Sequence, residues 1–154
     1  MVASLLVSLL LLQPAQTPTQ PPSDPAPSIR DGSAQRKLDS ARKRWRKADI
    51  HNYRFRLTRQ CFCPPEDPPV LFVRGDRPLR PPALYRSEAT VPRLFRRIQE
   101  SIDDEVAGLR VRYGRRGVPR FIFINGRDYI ADDEVGYKVD RFWRGTRGRG
   151  GPEQ

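Results

Sequence analysis

Both cysteines of the chain stand one residue apart, in Arg59-Gln-Cys61-Phe-Cys63-Pro-Pro. Two thiols at that spacing offer three chemistries. They can close a structural disulfide, act as a redox pair, or join His51 as ligands of a soft metal such as copper. In a regular strand, residues i and i+2 lie about 6.6 Å apart in Cα, the upper limit of disulfide geometry. A bridge therefore needs a bend. Pro64 holds Cys63 extended, so the bend falls at Cys61 or Phe62. A loop this small stabilises by only about 1.5 kcal/mol before strain. Arg56 and Arg59 could favour a thiolate, which suits the redox reading. Against it, there is no Cys-x-x-Cys at a helix start. Zinc usually takes four ligands, and no other Cys or His exists in the sequence. The metal reading rests on Cys61, Cys63 and His51 alone.

A second group of chemical side chains is acidic: Asp128, Asp132, Asp133 and Glu134, in NGRDYIADDEVG. The spacing lacks the alternating oxygen ligands and terminal Glu of an EF-hand. These carboxylates are expected to pair with arginines or to cap the loop. With a single histidine, no Ser-His-Asp arrangement is convincing. No phosphate loop, dinucleotide fingerprint or repeat occurs, so no catalytic residue and no cofactor are expected.

The charge points to anions. Net charge is +11 over 154 residues, and the only lysines are Lys37, Lys43, Lys47 and Lys138. Such a surface attracts anionic polymers and acidic partners. The densest run, Arg42, Lys43, Arg44, Arg46 and Lys47, lies on a helix expected from Ala34 to Asp49, with Asp31 or Ser33 as cap. Leu38, Ala41, Trp45 and Ala48 form its narrow apolar stripe. That stripe suits packing into a core better than lying on a membrane. Nothing marks specific nucleic acid recognition, and a monomer is expected.

The ends differ from the middle. Leu5–Leu12 is too short to span a bilayer and suits the apolar region of a secretory signal, giving a signal peptide over 1–16. No Lys or Arg precedes it, and Gln13 stands where a small residue is usual. Residues 17–33 are rich in Pro, Gln, Thr and Ser and are expected to be a disordered linker. A single domain then covers 34–143, and 144–154 is a disordered Arg/Gly tail. No transmembrane span is expected in the mature chain. The expected location is outside the cytoplasm: periplasm, cell envelope or extracellular space.

Within the domain, Tyr53–Cys63 reads as a strand by its alternation. Arg59 interrupts the inner set of Tyr53, Phe55 and Leu57, and Phe62 interrupts the outer set. Val70–Arg74 is the return strand, ending at Gly75-Asp76, and a proline-rich connection runs over 77–88. A second helix starts at Thr90 with Pro92 in its first turn; Val91, Leu94, Phe95, Ile98, Ile102 and Val106 form its core face. Its arginines 93, 96 and 97 come early and its acids 103 to 105 late, which opposes the helix dipole at about a few tenths of a kcal/mol each. Strands follow at Leu109–Tyr113, Phe121–Asn125 and Tyr137–Trp143, with a turn at 114–117. FIFIN is apolar on both faces and reads as a central strand. The order predicts α+β: an antiparallel sheet of about four to five strands with two helices packed on one face.

Trp45, the Tyr53-Arg-Phe strand, Cys61-Phe-Cys63, Gly75, Gly117-Val-Pro119, FIFIN and Asp132-Asp133-Glu134 followed by Tyr137 and Val139 resemble the bacterial family called domain of unknown function 6174, over about residues 40–143. The resemblance implies an exported or lipid-anchored bacterial protein, although this chain lacks a lipid-attachment cysteine after its apolar run. It implies no substrate. The expectation is a non-enzymatic binding or interaction module of the envelope or extracellular space, with an envelope or extracellular protein or an anionic polymer as partner. Thiol redox chemistry and copper binding are the alternatives.

Overall fold

Alternation along the strands and helical spacing between them produce two layers. The computed structural model describes residues 23–128, 130 and 132–145. The apolar run of the expected signal, residues 17–22 of the linker and residues 146–154 of the tail lie outside the described residues. The elements are α1 (Pro27–Arg30), α2 (Ser33–Ala48), β1 (Tyr53–Gln60), β2 (Val70–Arg74), β3 (Arg77–Pro78), a 3-10 turn (Ala83–Glu88), α3 (Val91–Asp103), β4 (Gly108–Tyr113), β5 (Pro119–Asn125) and β6 (Val135–Arg144). One antiparallel sheet runs in the order β3-β2-β1-β6-β5-β4.

The fold class is α+β, with six strands where four to five were expected. The sixth is β3. Gly75 and Asp76 both take positive φ, 54° and 65°, the backbone of a tight hairpin turn. That turn folds Arg77–Pro78 back along β2 as an edge strand, where proline is tolerated. FIFIN is interior rather than central: β5 sits between β6 and β4, and β1 with β6 forms the middle pair. Its second apolar face is covered by arginine side chains instead of a second layer, as described below.

Ordered chain also begins ahead of residue 34. Ala26 is buried, its N–H donates to the Val106 carbonyl at 2.9 Å, and α1 follows at once. The cap of α2 differs from expectation in one respect. Gly32, at φ 69°, occupies the cap position, and the Asp31 carboxylate accepts from the Ser33 N–H at 2.7 Å. The strand expected to reach Cys63 stops at Gln60. The helix expected to include Val106 stops at Asp103, because Glu105 turns left-handed at φ 51°; Val106 is still buried.

The core lies between the inner sheet face and the helices. Leu38, Ala41 and Trp45 of α2 and Leu94, Phe95 and Ile98 of α3 meet Tyr53, Phe55, Leu57, Ile122, Val139 and Phe142. Trp45 stands edge-on to Tyr53 at 5.3 Å and to Phe142 at 6.0 Å. It is a core residue, so the charged side chains of α2 face away from the sheet. No helix among the described residues is long and apolar enough to cross a membrane.

Candidate functional site

The cysteines sit at the end of β1. Cys61 and Cys63 form a disulfide with Cα atoms 5.2 Å apart, closer than strand spacing allows. The bend that makes this possible is a three-residue turn, in which the Cys63 N–H donates to the Cys61 carbonyl at 2.8 Å. Phe62 occupies its apex and is 83% exposed. The bridge thus terminates β1 ahead of Pro64-Pro65.

His51 lies at the other end of the same strand. Ten residues separate it from Cys61, roughly 30 Å at strand rise, so Cys61, Cys63 and His51 are not brought together. Among the described residues, no group of three or more His, Cys, Asp or Glu side chains could hold a metal ion. His51 instead clasps two carboxylates: Nδ1 lies 2.7 Å from Asp76 and Nε2 2.8 Å from Asp49. The hydrogen bond to Asp76, then that to Asp49, raises its pKa above 6.5. The raised value means that this clasp stabilises the fold fully below about pH 6.5. The contribution is lost as pH rises through the folded value. An NMR titration of this sole imidazole is expected to give a midpoint above 6.5, and Asp76→Asn is expected to lower it. A midpoint unmoved by Asp76→Asn would rule out the clasp.

The acidic loop gathers no site. The Asp133 carboxylate accepts from the Arg127 N–H at 2.8 Å and closes the turn beside Gly126. The Asp128 N–H donates to Ser23 Oγ at 3.1 Å, and Asp132 takes a positive φ of 74°. Glu134 leads directly into β6. On α2, Lys43, Arg44, Arg46 and Lys47 are exposed, with Arg44 bonded to Ser40. Arg42 turns to Gln99 of α3 at 2.8 Å. These cations form a dispersed outer helix face.

Reasoning from the sequence missed the open face of the sheet. The odd-numbered residues of β1 point into the core, so Arg54, Arg56 and Thr58 point outward. Across the ladders, Arg54 stands between Phe72 and Trp143, and Arg56 stands opposite Arg141. Arg110 faces Phe123, Arg112 faces Phe121, and Phe121 in turn faces Lys138. Three guanidinium groups lie over rings: Arg54 on Trp143 at 5.0 Å, Arg110 on Phe123 at 4.5 Å and Arg112 on Phe121 at 4.9 Å. Stacking of this kind fixes a guanidinium in place and leaves its N–H edge free. On β1, β4 and β6 the outward cations are Arg54, Arg56, Arg110, Arg112, Lys138 and Arg141. The outward acid is Asp140. It is bound by Lys138 at 2.7 Å and by the Thr58 hydroxyl at 2.5 Å. Burial pushes its pKa up, but those two bonds outweigh burial and hold it below 3.8. The alternation of Arg with apolar residues in β1 and β4 was the available signal. The partner rings come from register.

An antiparallel sheet backed by helices on one face, with a disulfide at one strand end, defines a small α+β domain whose other face no helix among the described residues covers. The family model described as family of unknown function (DUF6174) matches residues 37–144. The chain belongs to that family. No curated protein and no solved structure matches it.

Proposed function

We propose that this chain is an exported, non-enzymatic binding module of the cell envelope or extracellular space, and that it takes an extended anionic polymer on the open face of its sheet. The observation that carries the reading is the outward set of six cations against one committed carboxylate, with three of the arginines fixed over aromatic rings. A flat face with spread charge reads charge density along a chain rather than one deep anchor. Neighbouring strands stand about 4.8 Å apart and alternate residues about 6.6 Å, so these cations form a grid that several acidic groups can meet at once. Arg56 Nε is buried there with no acceptor of its own, which also suits an incoming oxygen. The apolar leader at residues 5–12 supports export.

The test uses heparin as a sulfated probe, with binding followed from low salt to about 0.5 M, where exposed charges are screened. Affinity is expected to fall steeply with salt. Replacing Arg56, Arg110 and Arg112 together by Glu is expected to weaken binding by about tenfold or more. The matched helix variant, with Lys43, Arg46 and Lys47 replaced by Glu, is expected to lose much less. Equal losses in the two variants would reduce the effect to net charge. Binding indifferent to salt would remove the proposal.

A further inference from the structure

Two oddities of the sequence meet in space. Arg59 interrupts the inner, apolar parity of β1, and α3 opens with arginines that oppose its dipole. Arg59, Arg93, Arg96 and Arg97 line one cavity of about 330 Å³, closed by Glu88 of the 3-10 turn and Tyr137 of β6. It lies on the helix side of the sheet, away from the open face. Arg97 and Arg96 approach Glu100 at 3.8 and 3.6 Å, and Arg93 donates to the Arg86 carbonyl. Arg59 has no ion pair among the described residues. The Nε atoms of both Arg59 and Arg97 are buried without an acceptor, and an unmet buried donor is unfavourable. A guanidinium edge of this kind is a strong acceptor-seeking group.

Two carboxylates line the cavity: Glu100 lies beside Arg96 and Arg97, and Glu88 sets the second condition. Glu88 is 5% exposed. It accepts from the Tyr137 hydroxyl at 3.2 Å and from the Ser87 hydroxyl at 2.8 Å. No ion pair joins it to any of these arginines. A ligand here must offer oxygens to Arg59 and Arg97 and also a donor, or at least no bare charge, to Glu88. Burial first, then Glu88, raises the pKa of the Tyr137 hydroxyl, while Arg97 and Arg59 act against that rise. All four groups line the same cavity.

We propose that this cavity binds a phosphate group that keeps a proton, either free hydrogenphosphate or the end of a phosphomonoester. The ionised oxygens meet Arg59 and Arg97, and the P–OH donates to Glu88. Phosphate has a second ionisation near neutrality, at about 6 for monoesters, so the proton is available. Sulfate and simple carboxylates are fully ionised at pH 7 and bring only repulsion to Glu88. The early arginines of α3 thus have a purpose that outweighs their small dipole cost.

Calorimetric titration of the full chain with inorganic phosphate, sulfate and glycerol phosphate tests this. Phosphate is expected to bind about tenfold or more tightly than sulfate, the value of one hydrogen bond to a charged group. Arg59→Lys keeps the charge but loses the guanidinium edge, and is expected to weaken phosphate about tenfold. Glu88→Gln offers its own donor, so sulfate is expected to rise to within a few-fold of phosphate, with circular dichroism confirming the fold. Glycerol phosphate binding above inorganic phosphate assigns the site to a monoester, and the reverse order assigns it to the free ion. Equal phosphate and sulfate affinity for the wild-type chain, or phosphate binding untouched by Arg59→Lys, would overturn the proposal.

Discussion

Gly117→Ala is expected to destabilise the domain by about 2–5 kcal/mol. Two costs add. Gly117 has φ 84°, a region where an L side chain costs about 1–2 kcal/mol. The new Cβ would also press into the backbone of α2. It would lie inside the contact distance of the Ala41 carbonyl oxygen, 2.9 Å from the Ala41 carbonyl carbon and 3.1 Å from the Trp45 nitrogen. Backbone within a helix cannot rotate away as a side chain can, so overpacking adds about 1–3 kcal/mol. The β4–β5 turn would be pushed off α2, and Trp45 would shift against Tyr53 and Phe142. Gly75→Ala is the matched control: its φ is 54°, and nothing lies within 4 Å of its added Cβ. Urea unfolding is expected to show the Gly75 variant down by about 1–2 kcal/mol and the Gly117 variant down by about 1–3 kcal/mol more. Equal losses would mean that the turn does not touch α2.

That contrast shows where the sequence was legible. The Gly114–Gly117 turn could be read from composition, because glycine punctuates alternating strands. The approach of Gly117 to Ala41 joins positions far apart in the chain, and no local pattern encodes it. The same division holds for the strands. Periodicity located Val70–Arg74 to the residue and the inner set of β1, because burial on one face imposes a period of two. It misplaced FIFIN at the centre of the sheet, since an apolar outer face looks alike under a second layer or under stacked arginines. Four strands were visible by their alternation and FIFIN by its continuous apolar run, whereas β3 has two residues and follows only from the positive φ of Gly75 and Asp76.

The candidate sites divide in the same way. The bend at Cys61-Phe62-Cys63 was legible, because extended geometry forbids a bridge across one residue and Pro64 fixes where the chain can turn. Grouping His51 with the cysteines failed for the opposite reason: nearness in sequence along a strand is distance in space. Arg59 and the early arginines of α3 registered only as exceptions to a pattern. Such exceptions are where a tertiary feature outweighs local propensity, and here they share a cavity.

Tyr53 carries the second large effect, because one side chain ties the sheet to α3. It is fully buried, with its ring 5.3 Å from those of both Trp45 and Phe142 and 6.1 Å from that of Phe55. Its hydroxyl oxygen accepts from the Val91 N–H at 2.9 Å. Val91 opens α3, and first-turn N–H groups have no partner within their own helix. The Thr90 hydroxyl satisfies Arg93 at 3.2 Å, and Tyr53 satisfies Val91. Tyr53→Phe keeps the ring and orphans that N–H, for an expected loss of about 1–3 kcal/mol. Tyr53→Ala also removes the ring, which adds about 3–5 kcal/mol. The sum approaches the whole stability of an ordinary domain, about 5–15 kcal/mol, so the Ala variant is expected to be largely unfolded at 37 °C. Amide exchange separates the two contributions. In Tyr53→Phe the Val91 amide is expected to exchange faster while the amides of β1 and β6 change little. A Phe variant as stable as the wild-type, with Val91 still protected, would show that water or Thr90 serves this N–H. The start of α3 would then be set by its apolar face alone.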